Sequence, residues 1–374
     1  MPEIGIGLIG TGFMGKCHAM AFQNAASVFN TALRPRLTVV ADIDEATVSN
    51  FAGQFGFGRW TTDWTDLIND PHVDIVAITT PNFLHKEMAL AAIAAGKHVY
   101  CEKPLALTSE DALEMTQAAE RAGVKTMVGY NYLKNPATAL AREIIASGEI
   151  GDVVHFRGIH NEDYMGDPTV PHSWRCTRDR GGAGALGDIG SHIISIALYL
   201  AGDIRAVNAQ MQTVIEARPD PASPGTSLSV ENDDQTHAMV TFESGAMGTV
   251  ECSRIAQGRK MHLAYEVTGT KGSIVFDQEQ MNELHLFTAA DQHRLGGFRR
   301  ILIGPDHPHY GAFCPAPGHS LGFNDQKVIE VKCLLDGIDG DETALYPGFR
   351  AGYEIEKIID AMIRSDAEQA WVQV

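Results

Sequence analysis

A chain of 374 residues is long enough for two domains, or for one domain with a large second lobe, and its 44% hydrophobic and 20% charged residues suit a globular protein with a sizeable core. A formal charge of −18 at pH 7 repels polyanions, which argues against nucleic acid or an anionic membrane as partner. Six cysteines with no C-x-x-C pair and no metal-ligand spacing fit a reducing compartment; with no basic leader and no apolar run of about 18 residues, a cytoplasmic protein without a membrane span or metal is expected.

The apolar run Ile4 to Ile9 predicts a buried strand and Lys16 to Asn24 a helix, so Gly10-Thr11-Gly12-Phe13-Met14-Gly15 occupies a strand-to-helix turn. This is the dinucleotide fingerprint in its required context: Gly10 for the tight turn, Gly12 for bare backbone beside a pyrophosphate, Gly15 for close helix packing. The helix N-terminus offers N–H groups and partial positive charge to phosphates. A lone G-x-G-x-x-G also arises by chance, but here a second strand, Leu37 to Ala41, ends in Asp42, an acid placed to accept from a ribose 2′-hydroxyl and to repel a 2′-phosphate. Asp42 lies 27 residues past Gly15, and the polar stretch Ser27 to Arg36 reads as the insertion that lengthens this spacing. NAD is therefore the expected cofactor, with NADP disfavoured.

Helix Glu45 to Phe55 follows, then a polar turn around Trp60, and a third strand, Val73 to Thr79, which ends in Thr80-Pro81-Asn82. Ligand contacts gather at such strand ends in doubly wound sheets, which makes Thr80, Pro81 and Asn82 candidates for the dinucleotide site. His85 falls on the alanine-rich helix Phe83 to Ala95 and reads either as a partly exposed helix residue or, less favoured, as a catalytic one. Strand His98 to Cys101 runs into Glu102-Lys103-Pro104; Lys103 can reach a substrate oxygen, or it is a solvated loop lysine paired with Glu102. Helix Ser109 to Ala122 has Ser109 as its expected N-cap. Strand Thr126 to Tyr130 leads to Asn131-Tyr132, and helix Pro136 to Ala146 closes the alternating β/α part.

Beyond Gly148 period-two strands predominate: Val153 to Ile159, Ala206 to Val214, Gln235 to Phe242, Ala246 to Cys252, Ala264 to Thr268, Ser273 to Phe276 and Glu283 to Phe287. They predict a large, open, mainly antiparallel sheet, with Arg218 to Ser227 as a surface loop. The expected fold is thus an α/β Rossmann domain over residues 1–133 and an α+β domain over 134–374, with helix Phe349 to Ile363 returning toward the nucleotide half.

The glycine-rich run Gly181 to Gly190 enters the apolar helix Ile193 to Leu200 and carries Asp188 and His192 four residues apart, on one helix face. A carboxylate beside an imidazole fixes its tautomer and raises its basicity, as a general base for a hydroxyl proton requires. The same pair reads equally as a helix cap and a packed histidine.

Gly10 to Gly15, Glu102-Lys103-Pro104 and Gly187-Asp188-Ile189-Gly190-Ser191-His192, in this order, resemble the glucose-fructose oxidoreductase/inositol dehydrogenase/MocA family over essentially the whole chain. The resemblance implies Lys103, Asp188 and His192 as the catalytic set: His192 takes the hydroxyl proton, Asp188 orients it, and Lys103 holds the same oxygen. It implies Gly10, Thr11, Gly12, Phe13, Met14, Asp42, Thr80, Pro81, Asn82, His85, Glu102, Lys103 and Asn131 around the cofactor. For the substrate it points to Lys103, Asn131, Tyr132, Asp188 and His192 and to the stretches His160 to Tyr164 and Pro171 to Arg180, where Asp163, Trp174 and Arg178 are the picks; a solvated loop is the competing reading. The proline- and histidine-rich stretch His307 to Phe323 adds His319 as a pocket-edge candidate. The implied activity is NAD-dependent oxidation of a secondary hydroxyl of an inositol, sugar or glycoside by a homotetramer. A non-catalytic nucleotide-binding sensor is the alternative, and turnover of a polyol panel separates the two.

Overall fold

The structure, a computed structural model, describes residues 2–374. The chain divides into two compact units: residues up to Lys134 together with Gly322–Glu354, and Asn135–Leu321 together with Ile355–Val374.

The first unit is built on a six-stranded sheet in the order β3-β2-β1-β4-β5-β6. Its strands are β1 (Glu3–Ile9), β2 (Arg34–Ala41), β3 (Arg59–Thr61), β4 (Ile75–Ile78), β5 (His98–Cys101) and β6 (Thr126–Val128). Every pairing is parallel. β4 is buried along its whole length, as a strand covered on both faces must be. The chain winds outward from β1 to β3 and then returns to the other side of β1, so the order reverses between β1 and β4. A doubly wound sheet opens its ligand crevice at the carboxyl ends of those two strands.

Several elements depart from the sequence reading. The Ser27–Arg36 stretch is not an insertion: the first helix runs Phe13–Phe29, ends on left-handed Asn30, and β2 starts at Arg34. A long helix fills the interval before Asp42. The turn around Trp60 is the edge strand β3. Helix Ser109–Ala122 is capped by Thr108, whose Oγ1 accepts from Asp111 N at 3.2 Å, rather than by Ser109. Gly322–Glu354 belongs to the first unit although it falls within the 134–374 stretch read as the second domain. Burial is the reason: helix Phe323–Asp339 packs Val328, Ile329, Val331 and Leu334 into the unit and lies against helix Phe13–Phe29. Helix Phe349–Glu368 begins in the first unit and ends in the second.

The second unit holds a nine-stranded sheet in the order β16-β15-β14-β13-β7-β12-β11-β8-β17. These are β7 (Val153–Asn161), β8 (Ile204–Gln212), β11 (Gln235–Phe242), β12 (Met247–Ser253), β13 (His262–Gly269), β14 (Gly272–Asp277), β15 (Glu283–Thr288), β16 (Arg299–Leu302) and β17 (Val372–Gln373). Only the β7–β12 pairing is parallel. Alternation sorts the side chains: on β11, Thr236, Ala238, Val240 and Phe242 are buried while His237 and Met239 point the other way. Helices Pro136–Ala146 and Ser191–Ala201 cover the buried face. The opposite face carries a shallow groove of about 520 Å³ lined by Arg157, Asn208, Gln210, His237, Met239 and Glu251, among others.

Arg218 to Ser227 is not simply a surface loop. β9 (Ala217–Pro219) and β10 (Ser227–Ser229) form a hairpin, and Arg218 is fully buried, donating to the Met165 and Asp167 carbonyls at 2.6 and 3.0 Å. The helical run Arg178–Ala201 also has the length and composition of a membrane span, against expectation, but 78% of its apolar window is buried inside the protein, as in a core helix.

Candidate active site

The nucleotide loop leaves β1 at Gly10, whose φ of +99° needs glycine and whose N–H donates to the Ala41 carbonyl at 2.9 Å. A side chain at Gly12 would point into open space, so the bare backbone there faces outward. The helix that follows starts without a side-chain cap and without an acid in its first turn. Uncapped N–H groups and an unopposed positive helix end suit a diphosphate. Asp42 closes the loop: its Oδ2 accepts from Thr11 N and Oγ1 at 2.8 and 2.5 Å, and its Oδ1 accepts from Ile43 N at 2.7 Å. A carboxylate has about four acceptor positions, so one remains on Oδ1 for a ribose hydroxyl. Phe13 is 70% exposed and stacks on Phe323 at 5.8 Å. Met14 is half-buried. These residues fit NAD.

Lys103 is half-buried at the end of β5, next to a buried charge cluster. Glu102 does not serve it as a solvated ion-pair partner. Its Oε1 accepts from Lys327 Nζ at 2.6 Å and from His18 Nε2 at 2.7 Å, while its Oε2 accepts from the Lys103 N–H at 3.3 Å. Lys327 also pairs with Glu330 at 3.0 Å, and the Tyr100 hydroxyl donates to Glu330. Burial alone would raise the Glu102 carboxyl, but the Lys327 charge and the His18 bond outweigh it and hold it well below the usual carboxylate range. Burial and then the Lys327 charge pull His18 down to about 4, so its imidazole is neutral.

His85 is fully buried rather than partly exposed. Its Nδ1 and Nε2 lie 2.9 and 3.0 Å from the Pro104 and Thr80 carbonyls, which ties the loop after β4 to the loop after β5. Burial pushes its pKa down. Thr80 and Pro81 are half-buried at the carboxyl end of β4, and Asn82 is buried. Asn131 Nδ2 donates to Gln326 Oε1 at 3.1 Å, and the buried Tyr132 ring lies 6.1 Å from that of Phe323.

In the second unit the glycine-rich run forms a π-turn, Leu186–Gly190, which leads directly into helix Ser191–Ala201. A π-turn closes i→i+5 bonds and recurs where a helix is reshaped around a site. Gly190 allows close approach to β12, since a Cβ there would sit 2.9 Å from Cys252 Sγ. Asp188 accepts from the Tyr164 hydroxyl at 2.6 Å and has Arg175 Nε at 3.6 Å. His192 is 4% exposed, with the His160 ring at 5.6 Å. The start of the turn is held by Asp233, which accepts from Gly184 N at 2.7 Å, Leu186 N at 2.9 Å and Thr236 Oγ1 at 2.9 Å. Arg254, 1% exposed, pairs with Asp234 at 2.9 Å and donates to Asn232 Oδ1 at 3.0 Å.

The substrate picks have partners of their own. Asp163 Oδ2 accepts from Lys260 Nζ at 2.6 Å and Gly258 N at 3.0 Å. Trp174 lies under the Arg175 guanidinium at 4.3 Å. Arg178 Nε donates to the Glu231 carbonyl at 2.7 Å. His319 is exposed, and its carbonyl accepts from the buried Tyr310 hydroxyl. Sequence reasoning missed Lys327, Glu330 and His18, and it missed the Asn232-Asp233-Asp234 run with Arg254. Tyr164 and Arg175 fell inside the stretches it named without being singled out.

A family model described as "Oxidoreductase family, NAD-binding Rossmann fold" matches residues 4–130, and one described as "GFO/IDH/MocA C-terminal domain" matches residues 138–275. The chain is 39% identical to levoglucosan dehydrogenase of Pseudarthrobacter phenanthrenivorans, over 100% of this chain and 99% of the relative. A solved structure titled levoglucosan dehydrogenase, complex with NADH and levoglucosan, superposes with a TM-score of 0.95 at 39% identity, covering 100% of this chain and 99% of that one. An NAD binding oxidoreductase from Klebsiella pneumoniae superposes with a TM-score of 0.95 at 46% identity, again over 100% and 99% of the two chains.

Proposed function

Because the chain belongs to the GFO/IDH/MocA family of oxidoreductases, with an NAD-binding Rossmann domain, we propose that it oxidises a ring secondary hydroxyl of a cyclic sugar or polyol, with an anhydro sugar such as levoglucosan as the leading substrate. NAD, when bound, supplies the acceptor for the hydride that leaves the carbinol carbon. His192 accepts the hydroxyl proton. Asp188, itself held by Tyr164 and Arg175, orients His192 and balances the imidazolium that forms. Lys103 donates to the reacting oxygen and stabilises its alkoxide character. The observation that carries this reading is Asp188 on the π-turn with His192 four residues on, in the helix that the turn leads into, in a chain alike over its full length to a levoglucosan dehydrogenase.

Trp174 provides an aromatic wall for the sugar ring, while Asp163 with Lys260, Arg178, Asn131, Tyr132 and His319 supply donors and acceptors for its hydroxyls. In levoglucosan the anomeric carbon is locked in the internal bridge, so oxidation there gives a ketone and never a lactone. The test is growth of the reduced-nicotinamide absorbance with levoglucosan, inositols and hexoses, followed by borohydride reduction of the product. An epimer of the substrate identifies the ketone. Failure of every sugar to reduce NAD would end the proposal.

A homotetramer is part of the same reading, supported by Met239 and Met247, which are 51% and 65% exposed on β11 and β12. Light scattering tests it. The free cysteines support a reducing, cytoplasmic setting.

A further inference from the structure

Two side chains that meet Asp188, Tyr164 and Arg175, are both held from one segment outside the main sheet, the β9–β10 hairpin and the run after it. Arg218, on β9, is fully buried. Its Nη2 donates to the Met165 carbonyl at 2.6 Å and its Nη1 to the Asp167 carbonyl at 3.0 Å. Farther along, Asn232 Nδ2 donates to the Arg175 carbonyl at 2.9 Å. Tyr164 sits directly before Met165, in a tight turn closed by the Gly166 N–H on the Asp163 carbonyl at 2.8 Å. It is 37% exposed, so packing does little to hold its ring and the backbone of the turn decides where the hydroxyl goes. With two rotatable bonds and its backbone fixed, the phenol reaches Asp188 Oδ2 at 2.6 Å. An ionised carboxylate only accepts, so the hydroxyl donates.

We propose that Arg218 is a positioning residue for the proton transfer: it locks the 163–166 turn so that Tyr164 holds Asp188 in the orientation that serves His192. This rests on the reading of Asp188 and His192 as orienting carboxylate and base. Fully buried and bonded to main-chain carbonyls, Arg218 acts through Tyr164 and does not itself meet substrate.

A guanidinium is a costly group to bury, and an apolar side chain would fill the same space with less desolvation. What the apolar side chain lacks is direction. The planar fork takes two carbonyls two residues apart in one orientation, which fixes the turn instead of merely covering it. The hairpin that carries the fork is itself anchored: His172 N–H donates to the Pro219 carbonyl and Val230 N–H to the Glu216 carbonyl, both at 2.8 Å, and Val230 packs with Met165 and Cys176. The turn has a second hold on its other side, where Met165 N–H donates to the Arg254 carbonyl at 3.0 Å and Gln257 Nε2 to the Gly166 carbonyl at 2.9 Å. Loss of the Arg218 fork therefore shifts the turn without releasing it. A misplacement of about 1 Å, caused far from the chemistry, is enough to cost about 10²-fold in rate.

The experiment is a double-mutant cycle on kcat with NAD and levoglucosan, for wild type, Arg218→Met, Tyr164→Phe and the double variant, with NADH affinity measured alongside by fluorescence. Each single variant is expected to lower kcat by about 10- to 100-fold with NADH affinity unchanged. The double variant is expected to be no slower than Tyr164→Phe alone, because both changes act through one hydrogen bond. A merely structural Arg218 would cost the same factor with or without the Tyr164 hydroxyl. Losses that multiply, a loss seen only in KM, or a folded Arg218→Met as fast as wild type overturn the proposal. Should Arg218→Met not fold, Arg218→Lys takes its place in the cycle, and Tyr164→Phe, which removes a single hydroxyl, tests the outer link by itself: wild-type turnover there overturns the proposal. Hydrogen exchange at the Met165 N–H reads the turn without turnover, with faster exchange expected in Arg218→Met and an unchanged rate contradicting the lock. Full turnover by His192→Asn would instead sink the reading of His192 as base, and the exchange rates would still show whether Arg218 locks the turn.

Discussion

Each unit buries a network of charge beside a segment that carries a proposed catalytic residue, and the two networks are built differently. In the first unit Lys327 joins Glu102, Glu330 and Tyr100, so groups from distant parts of the chain meet at one ammonium, and His18 bonds to Glu102 beside it. In the second, Arg254 binds Asp234 and Asn232 through separate guanidinium nitrogens, and the adjacent Asp233 is spent on backbone N–H groups. The second is local and its geometry is fixed by a planar fork. The first relies on a point charge between two carboxylates, and burial raises Glu330 while Lys327 holds Glu102 down. A charge balance of that kind depends on protonation as well as on packing.

Breaking the first network has the largest expected effect. Lys327→Met leaves Glu102 buried without its cation and is expected to cost about 3–5 kcal/mol in denaturant unfolding. Adding Glu102→Gln to the same chain should recover part of that loss; a double variant as unstable as the sum of the singles would show that the pair does not act as a unit.

The next effect is a pH dependence. Unfolded, His18 takes up a proton near 6.5; folded, it does so only near 4. Between those values the unfolded chain binds the extra proton, so stability present above pH 6.5 drains away as pH falls toward 4, by about 3 kcal/mol from this residue. Burial lowers His85 as well, which adds in the same direction. Thermal unfolding across that window measures it, and His18→Gln should flatten the slope. In the second unit Asp233→Asn is expected to cost less, about 1–3 kcal/mol, and to lower turnover by loosening the π-turn beneath Asp188. Unchanged turnover at reduced stability would mean that Asp233 serves the fold alone.

The same contrast explains what the sequence made legible. The requirements on Gly10, Gly12 and Gly15 are local, set by one turn and one helix start, and so is the acid at the end of β2. The spacing of Asp188 and His192 is legible for a similar reason, because residues four apart on a helical segment share a face, whereas their proposed catalytic role came from the family resemblance. The glycine-rich run ahead of them did not reveal the π-turn, where Gly190 packs closely on Cys252. Lys327 and Glu330, three apart on a helix, look like an ordinary surface pair, yet both are fully buried. Their partners are Glu102 and Tyr100, and no local pattern announces a contact between residues more than two hundred positions apart. Arg218 and His85 were misjudged for the same reason: each is satisfied by carbonyls of other segments, which burial rewards and composition does not reveal.

The most direct measurement mixes purified protein, NAD and levoglucosan and follows the reduced-nicotinamide absorbance, beside His192→Asn under the same conditions. The expected result is steady NADH formation by the wild type, with the variant slower by about 10²–10⁴-fold and its NAD affinity retained. No NADH from levoglucosan, any inositol or any hexose, in protein shown to bind NAD, would contradict sugar oxidation by this chain.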